Sequence, residues 1–246
     1  MSAQQLLDDI LASHGGRERW QSVTAIDASL SSGGFAFTSH CQPTALRNLT
    51  IHLAPHERRV VFGNFGGPGG SGHFAPDRVA IHDADGRLVA ERHDPRRSFA
   101  RPIKNIAWDR LDILYFAGYA IWNYLWFPGL LDEPDVTVSL PKAGDAGSGL
   151  RLAAEFAPSA PTHSARQLYH FDDQLLLTRH DYTADVIGGW ATAANCVLAS
   201  EIVSGLRFYT RRKVFPRMGP RQTVLPLPLL VWIEIDDLAV TFAAGG

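Results

Sequence analysis

The stretch Leu168 to Gly189, LYHFDDQLLLTRHDYTADVIGG, decides how this chain is read. Two runs rich in Leu, Tyr, Phe and Thr flank Asp172-Asp173, the composition of two β-strands joined by a tight acidic turn. In the second run a period of two places Leu176, Thr178, His180, Tyr182 and Val186 on one face. Leu177, Arg179, Asp181, Thr183 and Asp185 fall on the other, so His180 travels with the apolar set. An even number of loop residues puts Tyr169 and Phe171 on that same face, whereas an odd number brings His170 alongside His180.

An imidazole and a phenol that point into a cavity have the chemistry of a general base and a proton donor. On that basis His180 and Tyr182 are the candidate catalytic pair. The alternative is a core histidine satisfied by a neighbouring backbone or carboxylate group, as buried polar side chains usually are. Asp181 and Asp185 face away from His180 on a regular strand and are expected on a solvated face. Tyr169, His170 and Asp185 complete the hairpin's candidate ligand-binding residues, Asp185 because the fold of the hairpin keeps it near His180.

Upstream, Leu6, Leu7, Ile10 and Leu11 lie at helical spacing before Gly15-Gly16, a short amphipathic helix with a C-cap. After Trp20 the period becomes two, with Ile26, Ala28 and Leu30 alternating against polar residues. Phe35 and Phe37 beyond Gly33-Gly34 extend this to a hairpin. Further strands are expected near 46–53, 58–64, 79–82 and 88–91. Between them FGGPGGSG from Phe65 is a loop that lacks both the Lys-Ser/Thr of a phosphate loop and GxGxxG spacing. From Ala107 to Phe127, aromatic residues recur at spacings of three and four, which predicts a helix; Trp122 and Trp126 on it are further candidate ligand contacts. Asp109, Asp112 and Asn123 inside it argue against a membrane span. Strands resume at 136–140 and 150–156, and again at 195–203, 206–215 and 229–242. The run Arg211-Arg212-Lys213 is expected on the outer face or edge of its strand.

The opening helix before Gly15-Gly16, Trp20 and the strand from Val23, followed by one aromatic helix between two meanders, resembles the lipoprotein-sorting (Lol-type) carriers. FDDQLLLTRHDYTADVIGG, FYTRRKVFPR and VWIEIDDLAV also look like an uncharacterised bacterial family. The resemblance rests on the order of patterns across most of the chain. It implies an α+β, predominantly antiparallel fold: a curved half-barrel sheet with an N-terminal helix and the aromatic mid-chain helix packed in its concave face. It further implies an apolar cavity and transfers no catalytic residue.

Over 246 residues, 46% hydrophobic and 20% charged, the composition is that of a globular protein, read here as a single domain, 1–246. A net charge of −2 from interspersed Arg and Asp supplies no basic field for nucleic acid. The start lacks a basic n-region and carries Asp8-Asp9 within its apolar run, which sets the expectation of no secretory signal and a cytoplasmic location. Two cysteines, Cys41 and Cys196, fit a reducing compartment. Metal and cofactor motifs are missing: Pro55 separates His52 from His56, and GxSxG does not occur. The functional expectation is therefore a half-barrel that binds a hydrophobic or aromatic small molecule. It either performs cofactor-free acid/base chemistry of the isomerase, cyclase or lyase type through His180 and Tyr182, or acts as a non-catalytic carrier or chaperone for a lipid or lipidated partner.

Overall fold

The computed structural model describes residues 1–142, 149–219 and 222–243. Helix α1 (Ala3–Ser13) starts at Ser2, whose hydroxyl accepts the Gln5 N–H at 3.1 Å, and buries Leu6, Leu7, Ile10 and Leu11. A short helix, α2 (Arg17–Gln21), leads into β1 (Val23–Gly33). The expected hairpin through Gly33-Gly34 does not form. Gly34 has φ 131°, a conformation that favours glycine, and any Cβ there would lie 2.5 Å from the Leu230 carbonyl oxygen. The chain leaves the sheet at that point, and Phe35–Thr38 becomes the helical turn α3.

Strands β2 (Leu49–Ala54), β3 (Arg59–Gly63), β4 (Ser71–Ala75), β5 (Arg78–His82) and β6 (Leu88–His93) continue the meander outward from β1. After helix α4 (Arg110–Leu125) a second meander runs through β7 (Val136–Ser139), β8 (Leu150–Phe156), β9 (Arg166–Phe171), β10 (Leu177–Thr183), β11 (Thr192–Val203) and β12 (Leu206–Met218). A two-residue strand, β13 (Thr223–Val224), pairs only with β12. The last strand, β14 (Val231–Phe242), inserts between β1 and β12 and joins the two meanders into one antiparallel sheet ordered β6-β5-β4-β3-β2-β1-β14-β12-β11-β10-β9-β8-β7.

Helix α4 carries the chain from one sheet edge to the other. It touches β6 and β12, which stand seven places apart in the sheet order. The sheet is curved, and α4 packs along it against β3, β4, β5, β6 and β12. Every α4 residue from Leu111 to Leu125 is buried, as expected of a helix apolar on all sides. Its N-terminus is held by a reciprocal capping box of Asp109 and Asp112. The buried Asp112 also accepts hydrogen bonds from Arg92 at 2.7 Å, from Ser98 at 2.8 Å and from Lys104. Among the described residues no helix is long and apolar enough to cross a membrane, and Cys41 and Cys196 are both free.

Candidate functional site

The five residues between β9 and β10 are an odd loop, which by parity alone would bring His170 to the face of His180. The ladder does otherwise: Leu177 pairs with Phe171, Arg179 with His170, and His180 with Tyr169. Thr178 is the extra residue of a bulge, and it resets the alternation by one. His180 is thereby buried on the inner face, its ring stacked on Tyr169 at 4.3 Å and its Nε2 2.5 Å from Gln167 Oε1. His170 stays on the opposite face.

Asp181 corrects an expectation, because it is buried and not solvated. Arg179, Arg217 and His170 converge on its carboxylate at 2.5, 3.1 and 3.0 Å. Burial alone would raise its pKa, but hydrogen bonds from Arg179 and His170 and the charge of Arg217 outweigh that and hold it at about 2. Asp185 is exposed at the strand end and lies 3.6 Å from Arg96.

On the inner face Tyr182 meets the hydroxyl of Tyr124, from α4, at 3.1 Å, and the Tyr124 hydroxyl is also hydrogen-bonded with His163 Nε2 at 2.8 Å. The His163 ring lies flat on Tyr182, centroids 3.8 Å apart. Burial lowers His163 to about 3, pushes His180 well below its ordinary value and raises Tyr182 and Tyr169. All four side chains are thus neutral across the physiological range, so they act as hydrogen-bonding and stacking groups.

Beside this cluster a cavity of about 430 Å³ opens between α3, the 184–191 loop and the inner face of β11, β12 and β14. Its walls are apolar, with Phe116, Tyr182, Val214 and Val231 among them, and its mouth is formed by Phe35, Trp190 and Met218. Those three are 53, 80 and 61% exposed, an apolar rim held open to solvent. Of the residues singled out in the sequence, Tyr182 reaches the cavity wall. His180 and Tyr169 lie one layer behind it, in the core. Trp122 is buried with its indole N–H on the Pro55 carbonyl at 2.9 Å, and Trp126 lines a separate cavity of about 180 Å³ beside Trp20 and His56. Among the described residues no group of three or more His, Cys, Asp or Glu side chains could hold a metal ion.

No family model and no curated protein matches the chain. In architecture it is similar to a LolA superfamily protein from Nitrosomonas europaea, with a TM-score of 0.51 and 8% identity over 99% of this chain and 95% of that one. This chain has the LolA-like fold. It is similar likewise to a DUF1329 family protein from Desulfovibrio piger, with a TM-score of 0.50 and 12% identity over 99% and 94% of the two chains. At these identities the likeness is one of fold, and no residue's role comes with it.

Inside the LolA-like sheet sit residues that the sequence did not mark as site candidates: Tyr124, His163, Gln167, Asn195 and Arg212. Arg212 corrects the expectation for the basic run. Arg211 and Lys213 are exposed, while Arg212 is 2% exposed on the inner face. Its guanidinium lies 4.7 Å from the ring of Tyr124 and 5.5 Å from that of Tyr209. A signal existed, since period two puts Arg212 in phase with Val214 and out of phase with its two basic neighbours.

Proposed function

We propose that this protein binds and carries one hydrophobic molecule, of lipid or other apolar class, in the cavity beside α3. The observation that supports it is the apolar hollow of about 430 Å³ whose rim leaves Phe35, Trp190 and Met218 in water. Its volume falls in the ordinary range of small-molecule sites. Covering each square ångström of such a rim contributes about 25 cal/mol, so a guest or a delivering surface that covers it is favoured. The LolA-like fold is consistent with lipid carriage.

The acid–base variant draws no support from this geometry. His180 Nε2 is engaged by Gln167 and lies behind the cavity wall, and burial keeps its imidazole neutral. Tyr182 spends its hydroxyl on Tyr124.

A direct test is titration with the apolar dye N-phenylnaphthylamine, alongside mass spectrometry of a denaturing solvent extract. The expected result is saturable emission enhancement that is abolished by Ala191→Trp, which fills the mouth from a partly exposed position. An unchanged dye signal together with an extract free of apolar compounds would overturn the proposal.

A further inference from the structure

Arg212 is enclosed with no acceptor: Nε, Nη1 and Nη2 are all buried without a hydrogen-bond partner. The titratable groups that face it are the phenols of Tyr124, Tyr209, Tyr182 and Tyr169, each kept protonated by burial, and the imidazole of His180, kept neutral by burial. An arginine cannot shed its proton to escape such a site. Stacking over Tyr124 and Tyr209 offsets only part of the cost of taking the ion out of water. The position is thus net positive, aromatic-walled and without an anion of its own. On the neighbouring strand Asn195 leans toward the Tyr124 phenol without meeting hydrogen-bond geometry, so its amide is also unpartnered.

This polar layer lies at the inner end of the apolar cavity. A void of about 20 Å³, lined in part by Tyr124 and Ile233, shares Phe116, Tyr182 and Val231 with the large cavity. Ile233 is the cross-strand partner of Arg212, and Val214, which pairs with Asn195, lines the large cavity itself. From the mouth the hollow runs over apolar wall to the paired hydroxyls of Tyr124 and Tyr182, and Arg212, which lines neither hollow, lies behind Tyr124 with its guanidinium over that ring.

We infer that Arg212 anchors the carboxylate of a long-chain fatty acid, which enters head first and leaves its acyl chain in the apolar cavity. The inference rests on the carrier proposal and deepens it. A planar guanidinium matches a carboxylate bidentately. The unpartnered Asn195 amide supplies a further donor beside it.

The test titrates cis-parinaric acid and its methyl ester, both fluorescent, against the wild type, Arg212→Met and Arg217→Gln. Arg217 lines the large cavity but is already paired with Asp181. The expected wild type binds the acid at least tenfold more tightly than the ester. Arg212→Met is expected to bind both alike, with ester affinity kept, and to melt no lower than the wild type without ligand, since it removes an enclosed charge. Arg212→Gln serves as a second variant with the same expected loss of acid preference. Equal wild-type affinity for acid and ester overturns the anchor and leaves the carrier standing. A preference that survives at Arg212 and vanishes in Arg217→Gln also overturns it. Failure of the wild type to bind either probe brings down the carrier and the anchor together.

Discussion

The imidazole of His180 lies flat on the phenol of Tyr169, ring planes within 7° and centroids 4.3 Å apart. The two share a face because Thr178 stands outside the β9–β10 ladder. Removing Thr178 would leave every cross-strand pair in place and turn the bulge into a regular ladder. Deletion of Thr178 is therefore expected to cost about 1 kcal/mol, the loss of its hydroxyl's bond to the His170 carbonyl. Urea unfolding checks this, and a collapse of stability would show that the kink of the bulge, and not its parity, is what the fold requires.

Buried histidines make stability fall with acid. Burial lowers His14 to about 4, His163 to about 3 and His180 well below its ordinary value, and Nε2 of His14 and of His163 each lies within 2.8 Å of a tyrosine hydroxyl. All three folded-state values lie below the ordinary 6.5, so the unfolded chain binds more protons between those limits. Their contribution is complete above pH 6.5 and is lost as pH falls toward 4, about 3 kcal/mol for His14 alone. Asp181, held at about 2, gives up its share only below its ordinary 3.8, so it does not confuse that window. Unfolding free energies at pH 7.5 and 4.5 should differ by several kcal/mol, and His14→Gln should flatten the slope.

The strand periodicity and the aromatic run were enough to read the two runs of strands and the mid-chain helix, because period two and spacings of three and four are properties of single segments, whereas the half-barrel came from the resemblance that their order carries. What depended on another segment was out of reach. The α3 turn follows from Gly34 lying against Leu230, nearly two hundred positions away in sequence. The face of His180 turned on one bulge residue, which loop parity cannot reveal. Asp181 reads as solvated until Arg217, thirty-six residues on, is known to reach it. Arg212 was legible in principle, but a three-residue basic run drew attention to its charge and away from its phase.

Gly118 sets the distance between α4 and the sheet. A Cβ there would stand 2.2 Å from Cγ of Phe74 on β4. Gly118→Ala is expected to destabilise by about 2 kcal/mol despite alanine's better helix propensity, because the clash meets a packed ring. Phe74→Leu should recover part of that loss, and a double-mutant cycle by chemical denaturation should show coupling between the sites. Additive losses would place the strain elsewhere.

The foot of the same helix depends on a buried carboxylate. Asp112 is fully buried and answers Arg92, Lys104, Ser98 and the Asp109 N–H. Asp112→Asn keeps the shape but leaves two cations without their shared charge, at an expected cost of about 3–5 kcal/mol. Thermal unfolding should show the drop, and a change under 1 kcal/mol would mean that Asp109 alone suffices to hold them.

Trp190 offers a direct reporter of occupancy. It is 80% exposed at the cavity mouth, whereas Trp20, Trp108, Trp122 and Trp126 are each at most 3% exposed and Trp232 is half-buried under Arg47. Collisional quenching by iodide should therefore act chiefly on Trp190 in the free protein. An apolar guest that covers the rim shields that indole, so saturation with ligand should lower the quenching constant by at least half and shift the emission to shorter wavelength. In Trp190→Phe the residual emission should be quenched weakly with or without ligand. If quenching stays unchanged at saturating ligand in the wild type, the guest enters by another route, and the exposed trio of Phe35, Trp190 and Met218 serves a different contact.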